Sequence, residues 1–578
     1  MSRRRLAAFA LVLCLMVPAN AYSKDVAELI PGDTYGYVVI NRLAHTDGKI
    51  QALAQRTKLP IPSFMSTVKT QTGIVTGVDD SRSIAFAFLP TAQGPTAVLY
   101  VPVDDYGVFI EQLDPAGTDN HITTASLMGR PVIVGNKSGH AVVTWPNNRM
   151  LLREMLSDEA PPQDTTAAAT TLVGDHDVAA VLTSRGVKML TALGHDGLEK
   201  LKVVMRESLD EDSSALAGIE VYVHILNAID SEVASGAVGL TLEEGGSLRV
   251  SERIWFQPTG KVAPIMREAK PHDGDLLSSL PEIPYVIAFG GVVPSGALQP
   301  IMDFSGNMMK AMPQLYGLTE EQVDKMIELS VKYFPDLHSM SVLLGVGQEN
   351  APLYSEMLAA MHVRDARAYV ANYRKFWAEL DEVIGDAEAS FFKDVELEDI
   401  NVDGVSVLKI TMPIPNLQGL DLPNQDNVDA LMEKLYGPGG ITVYLAAADD
   451  DTVLMAYTDT ALLRKALRFK KDGAKQISQE QHIVSTSKHL PSGAQGIGYW
   501  SPSGSIAFAN RMMHLISGPD AGVRLPAFPP TPPVGWTMTV TPTVVKFDAV
   551  LPAEIIEAVK TFVEQVKQIN GAGAADRE

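Results

Sequence analysis

Cysteine is all but absent from this sequence: Cys14 is the only one in 578 residues, and it falls inside an N-terminal apolar run. Disulfides, thiolate nucleophiles, iron-sulfur clusters and cysteine-zinc sites are excluded together, so any folded domain must be held by core packing alone. Positive charge is scarce too, with 47 Lys and Arg against 69 Asp and Glu and a formal net charge of −22. Nucleic acid and anionic lipid would repel such a chain unless a local basic patch compensated, and no run rich in Lys and Arg supplies one. Beyond the N-terminus no apolar stretch approaches the roughly 20 residues that cross a bilayer. The 12 histidines are dispersed, His482 and His489 being the closest pair, so no local zinc signature exists. A Walker loop, a dinucleotide fingerprint and a glycine-flanked serine elbow are missing as well.

What is present begins with residues 1–21, which read as a secretory signal: Arg3, Arg4 and Arg5, an apolar run from Leu6 to Val17, then Pro18 and the small-residue pattern Ala19-Asn20-Ala21. Cleavage after Ala21 is expected, giving an exported protein, periplasmic or extracellular, with no transmembrane segment in the mature chain. The apolar run is too short for an anchor, and Leu13 stands where a lipoprotein signal needs a small residue before its cysteine. Ser2-Arg3-Arg4 resembles a twin-arginine signal, but the Leu-rich core favours the general export route. Loss of the three arginines takes the formal charge from −22 to −25. The remainder, 46% hydrophobic overall, is long enough for two to four cored domains.

The second half of the chain repeats the first, weakly but in register. Val238-Gly239-Leu240-Thr241-Leu242 recurs as Val534-Gly535-Trp536-Thr537-Met538, and the same shift of 296 carries Leu248 onto Val544. Ile30-Pro31 with Tyr35 recurs as Leu280-Pro281 with Tyr285 at a shift of 250. Val103, Asp105, Phe109, Ile110 and Leu113 recur as Val363, Asp365, Tyr369, Val370 and Tyr373 at a shift of 260. Such slow drift is what loop insertions produce.

Four segments open alike, with an apolar residue, a short polar turn and a strand. They head module A (22–157), module B (172–270), module C (280–470, with an insertion at about 412–438) and module D (489–570). Linkers fall at 158–171, 271–279 and 471–488, and 571–578 reads as a disordered tail. Module A reads as strand 35–41, helix at about 46–56, strands 82–89 and 97–103, helix 105–113, hairpin 123–144 and helix 147–156. Alternation of Ile84, Phe86 and Phe88 supports the second strand, and Asp105 is a natural N-cap for the helix that follows. Module C repeats that order with Asp365 as the cap. Modules B and D read as strand, helix, a variable stretch, a hairpin (236–256 and 534–550) and a closing helix. The class expected is α+β: four modules of antiparallel sheet with helices packed on one face, arranged as a tandem duplication A-B-A′-B′.

Candidate chemistry is thin. Asp399, Asn401, Asp403 and Gly404 open like a calcium loop, but its closing position is Ile410 where a bidentate Glu is needed, so a hairpin with an Asp-Gly turn is the simpler reading. Ser66-Thr67-Val68-Lys69, Thr118-Asp119-Asn120 and Lys137-Ser138-Gly139 follow the motif order of serine β-lactamases, with too little chain between the second and third for that fold's helical region. Met308, Met309 and Met312, and likewise Met512 and Met513, sit at helical spacing where methionine is ordinary core filler. The acidic runs Asp449-Asp450-Asp451 and Asp210-Glu211-Asp212 read as a hairpin turn and a solvated loop. No catalytic residue, cofactor or metal ligand is assigned.

The opening Ile30-Pro31-Gly32-Asp33-Thr34-Tyr35-Gly36-Tyr37 resembles a class of exported bacterial proteins of unknown function whose mature chains begin Leu-Pro-x-Asp-Thr and a Tyr-bearing strand, with Ile30 here in place of Leu. The resemblance covers the head alone and implies no activity. Module C has Glu282-Ile283-Pro284 instead of the Asp-Thr pair, which marks the pair as a turn. The reading therefore favours a non-enzyme, a ligand-binding or envelope interaction protein. Its small-molecule or envelope-protein partner would lie in a groove between the halves, and neutral or cationic ligands suit the charge. Its rival is a periplasmic or secreted hydrolase with a non-motif active site in one half, which would show coupled, buried titratable groups in a cleft. Assembly through an exposed sheet edge is a third reading.

Overall fold

The computed structural model describes residues 26–157, 167–206, 214–294, 296–310, 318–385, 395–413, 425–517 and 524–575. The signal segment, most of the first linker, Asp210 to Asp212 and Met312 lie outside the described residues. The chain is mixed helix and antiparallel sheet, 42% helical and 30% strand, which is the α+β class. It divides into two compact units, Met1–Gly186 with Ala237–Leu242, and Val187–Gly236 with Glu243–Glu578.

The first unit runs β1 (Gly36–Ile40), α1 (Leu43–Thr57), α2 (Phe64–Thr72), β2 (Ile84–Thr91), β3 (Gly94–Pro102), α3 (Tyr106–Glu111), β4 (Gly117–Asp119), β5 (Ile122–Leu127), β6 (Arg130–Lys137), β7 (His140–Thr144), α4 (Arg149–Leu156), α5 (Ala167–Asp175) and β8 (Val178–Leu182). Its strands lie in the order β8-β1-β2-β3-β7-β6-β5-β4, every neighbouring pair antiparallel. Asp105 caps α3 by accepting from Val108 N at 3.1 Å, as its sequence position implies. The period of β2 is as read, and the face it buries is the one with the smaller side chains. Ala85, Ala87 and Leu89 are buried, while Phe86 and Phe88 point outward, 39% and 42% exposed. Cross-strand pairing gives the reason: Ala87 lies opposite Tyr37 and Ala85 opposite Tyr100, both tyrosines fully buried, so only a methyl fits beside each ring. Two helices have no counterpart in the sequence reading. α2 is capped by Ser63, which accepts from Ser66 N, and α5 runs through Leu172 to Asp175, where an apolar residue and a short polar turn are expected to open module B.

The second unit contains most of α6 (Ser184–Arg206), α7 (Ser214–Glu232), the start of β9 (Val233–Leu242), β10 (Leu248–Phe256), α8 (Ala263–Glu268), β11 (Tyr285–Val292), α9 (Leu298–Lys310), α10 (Glu320–Tyr333), β12 (Leu337–Gly345), β13 (Met357–Val363), α11 (Ala366–Ile384), β14 (Glu396–Val402), β15 (Val405–Met412) and α12 (Gln425–Tyr436). It continues through β16 (Ile441–Ala447), β17 (Thr452–Tyr457), α13 (Ala461–Asp472), α14 (Gln481–Ser487), β18 (Gly496–Trp500), α15 (Pro502–Ser517), β19 (Val534–Thr541), β20 (Val544–Leu551) and α16 (Ala553–Ala575), the last running past Gly571 into the expected tail. Strand order is β10-β20-β19-β18-β11-β12-β13-β17-β16-β15-β14, again antiparallel throughout. Asp365 caps α11 through Ala368 N at 2.9 Å.

Helices on one face only, the sequence expectation, do not describe the centre of this sheet. Leu358, Ala360, Leu454 and Ala456 pack with Leu462, Ala466 and Ile483 of α13 and α14 on one side. Met361, Val363, Val443 and Val453 pack with Ala366 and Tyr369 of α11 on the other. The physical cause is legible in the strands, since β13, β16 and β17 are nearly continuous apolar runs and need cover on both faces.

Candidate ligand site

A cavity of about 490 Å³ opens in the second unit beside the start of β11. Its floor is made by backbone packing that leaves no room for a side chain. A Cβ on Gly504 would stand 1.8 Å from Tyr285 O, so the first turn of α15 presses directly on the β11 backbone. Ser501 holds that turn in place: its N–H donates to Val286 O at 2.9 Å, and its Oγ accepts from Gly504 N at 3.0 Å as the helix cap. Ser503 Oγ lies 3.2 Å from Ser501 Oγ. Glu480 caps the neighbouring α14 by accepting from Ile483 N at 2.9 Å and also lines the cavity. The far wall is the proline loop Pro530 to Pro533, tied down where Thr486 Oγ1 donates to Pro533 O at 3.0 Å.

The lining is apolar at Ile283, Pro284, Val346 and Ala507 and polar at Glu282, Glu480, His482, Ser501 and Ser503. Burial pushes the Tyr285 phenol up, and the negative charge of Glu480 and the ring of Tyr499 push it further the same way. Thr531 Oγ1, also in the lining, is buried without a partner among the described residues. A concave, largely apolar space with a few convergent polar groups is the ordinary form of a small-molecule site.

The first unit builds the same corner differently. A Cβ on Gly186 would stand 1.9 Å from Tyr35 O, and Thr183 Oγ1 accepts from Gly186 N at 3.2 Å. Between them Arg185 lays its guanidinium over the Tyr35 ring, 5.5 Å from the centroid, and comes within 3.8 Å of the Asp33 carboxylate.

A second polar cluster occupies the end of the β13–β17 ladder. Ser279 Oγ lies 3.1 Å from His362 Nε2, whose Nδ1 faces Thr452 Oγ1 at 3.5 Å. Lys470 Nζ donates to Thr452 Oγ1 at 3.1 Å and to Asp449 Oδ2 at 3.0 Å. Burial and the Lys470 charge hold the His362 pKa below its ordinary value against the pull of Asp451 and Asp449. Burial alone would raise Asp449, but hydrogen bonds from Thr452 and Lys470 hold it down at about 2. The serine–imidazole contact has the form of a nucleophile and its base, yet Ser279 is 1% exposed, so no acyl group reaches it.

The residues singled out in the sequence scatter. Asp403 and Gly404 form the β14–β15 turn with φ of 51° and 87°, the hairpin turn their sequence implies. Their neighbours are arginines: Asp399 pairs with Arg374, and Asp403 with Arg468 at 2.8 Å. Ile410 is core. Ser66 and Lys69 lie on α2, whereas Lys137 Nζ donates to Met155 O and, at 3.0 Å, to Ser157 O at the end of α4. Asp449 to Asp451 do form the β16–β17 turn, and Met309 packs on the α10–α11 core. His482 lines the cavity while His489 lies 3.6 Å from Glu243. Folding also gathers cations that no run supplies: Arg464, Lys465 and Arg468 of α13 meet Lys475 around a cavity of about 640 Å³, where Glu282 and Asp472 offset part of the charge. None of the cavity residues carries a sequence motif. Only the recurrence of Ile30-Pro31-Tyr35 at Leu280-Pro281-Tyr285 pointed to that corner.

No protein family matches the chain, and no curated protein matches it. Among solved structures, crystal form I of TP0453 aligns at 12% identity over 44% of this chain and 90% of that one, with a TM-score of 0.23. Crystal form III aligns at 12% identity over 43% and 88%, with the same TM-score of 0.23. A likeness at that score carries no argument about fold or function.

Proposed function

We propose that this chain is an exported ligand-binding protein, freed of its signal after Ala21, whose cavity beside Tyr285 holds a small neutral or cationic molecule. The cavity carries this reading: it has the volume of a ligand site, a preformed apolar wall, and one buried polar atom, Thr531 Oγ1, whose partner is not supplied by the described residues. The net charge, −22 for the whole sequence and −25 once Arg3, Arg4 and Arg5 are gone, attracts cations and repels anions at long range.

The scaffold we read as a tandem duplication A-B-A′-B′. Two features support it. The orders β8-β1-β2-β3-β7-β6-β5-β4 and β18-β11-β12-β13-β17-β16-β15-β14 agree strand for strand. In addition, β10 pairs with β20 so that Ser251 meets Asp548 and Glu252 meets Phe547, and the shift of 296 carries Ser251 onto Phe547 and Glu252 onto Asp548. The two strands are thus paired about their own equivalent midpoints, as duplicated copies of one strand would be.

Native mass spectrometry of the exported protein tests the binding reading. A mass excess that disappears on denaturation is expected. Bare polypeptide, or polypeptide with envelope proteins only, would remove the small-molecule function. The rival hydrolase draws no support from the Ser279–His362 contact, because Ser279 is buried; hydrolysis of a model ester by the purified protein would establish it.

A further inference from the structure

We propose that the cavity beside Tyr285 is built for a guanidinium or alkylammonium head on an apolar tail, a claim that rests on the binding reading above and names its ligand. The first unit supplies the pattern within the same chain. There a tyrosine at the head of the first strand, a glycine of the following helix pressed on that tyrosine's carbonyl, and an arginine one residue before the glycine form a closed set: Tyr35, Gly186 and Arg185. Arg185 supplies the cation that lies on the ring, and Asp33 supplies its counter-charge. In the second unit the tyrosine and the glycine recur as Tyr285 and Gly504, with Ser501 capping as Thr183 does. The residue before the glycine is now Ser503, and the position of Asp33 is Ile283. The chain's own cation and its carboxylate are both gone, and all three counterparts, Ile283, Tyr285 and Ser503, line the cavity.

Charge supports the same occupant. The first turn of α15 presents about half a positive charge, which by itself would favour an anion. Glu480 and Glu282 in the lining set carboxylate charge against that preference, Glu480 the more so because Glu282 also borders the neighbouring cavity of Arg464, Lys465, Arg468 and Lys475. An anion would face both carboxylates, whereas a guanidinium can take carboxylate oxygens at its N–H edge and an aromatic face on its plane. Ile283, Pro284, Val346 and Ala507 offer the tail its apolar wall.

The mature full-length protein is titrated with butylguanidinium and, in parallel, with its neutral isostere butylurea, by calorimetry and by thermal shift. Saturable binding of butylguanidinium and none of butylurea is expected. The Glu282→Gln/Glu480→Gln pair should weaken it at least about tenfold by removing both counter-charges, and Ser503→Arg should abolish it by restoring the first unit's internal cation. Should Ser503→Arg fail to fold, the glutamine pair decides. Equal binding of both probes overturns the cationic class while leaving a binding cavity. Absence of butylguanidinium binding overturns the class too, and the adduct sought by native mass spectrometry then judges the cavity separately. Binding unchanged in the variants places the cation elsewhere and also refutes the proposal.

Discussion

Set side by side, the two units keep what has no freedom and change what carries charge. A Cβ on Gly186 or Gly504 would fall 1.9 or 1.8 Å from Tyr35 O or Tyr285 O, which no other residue could accept, and Asp105 and Asp365 cap corresponding helices. At the ends of the strands the chemistry diverges. Just before β8, Asp177 is buried and accepts from Leu242 N at 2.9 Å, its charge met by Lys49 at 2.9 Å. Just before β18, Gln495 is buried and grips Val540 N and O at 2.9 and 3.1 Å with a neutral amide that calls for no counter-ion. The last rung of the β3–β7 ladder pairs Pro102 with His140, and that of β13–β17 pairs His362 with Thr452. Backbone packing defines the scaffold, and strand ends are where each unit has its own polar groups.

The strongest way to break this comparison is at a feature only one unit has. The β2–β3 connection is a tight turn closed by Thr91, but the β12–β13 connection is long and is pinned by buried Arg511, which donates to the carbonyls of Val346, Ala351, Pro352 and Leu353. Arg511→Met strands four acceptors and should cost about 4 kcal/mol, read as lost hydrogen-exchange protection in β12 and β13 with the first unit unaffected. Next come the paired glycines. Gly186→Ala and Gly504→Ala should each cost about 3 kcal/mol, because the obstacle is backbone and has little room to give. A mild effect at one and a severe one at the other, in urea unfolding followed by exchange, would separate the two corners. Smaller again is Lys49→Met, about 2 kcal/mol, less than for a fully buried pair because the Lys49 side chain keeps 16% exposure. Adding Asp177→Asn should return most of that loss, since the site then resembles Gln495; a double-mutant cycle showing no coupling would refute the equivalence.

How much of this was legible in the sequence follows from the same division. The capping aspartates, the Asp403-Gly404 turn and the order of module A could be read because each is a local rule acting within four residues. The buried face of β2 is not legible from its own alternation because the rule is not local: Phe86 and Phe88 are the larger side chains, but Tyr37 and Tyr100 on neighbouring strands take the interior, leaving room only for Ala85 and Ala87. The cavity was illegible for a related reason. Glu282, Glu480, Ser503 and Pro530 are separated by up to hundreds of positions and match no motif, and their meeting depends on β18 pairing with β11. What could have drawn attention is the exchange of Asp33 for Ile283 at aligned heads, a lost charge in an otherwise repeated segment.

The smallest effect expected concerns protons, and it sharpens the contrast between ladders by giving the His362 end a pH dependence that its own removal should erase. The groups facing His362 are Ser279, Thr452, Lys470, Asp449, Asp451 and His272. Its folded pKa lies below the unfolded value of about 6.5, so between those values the unfolded chain holds more protons. Stability from this site is complete above about pH 6.5 and is lost as pH falls through the folded value. Asp449 gives the same sign lower down: stability is complete above its ordinary 3.8 and lost as pH falls toward about 2. Acidification should therefore weaken protection of the β13 and β17 amides in two steps. His362→Asn should delete the upper step and leave the lower, while Lys470→Met should diminish the lower by removing the ammonium that holds Asp449 ionised. An upper step that survives His362→Asn would assign the titration to another group and leave the ladder end chemically silent.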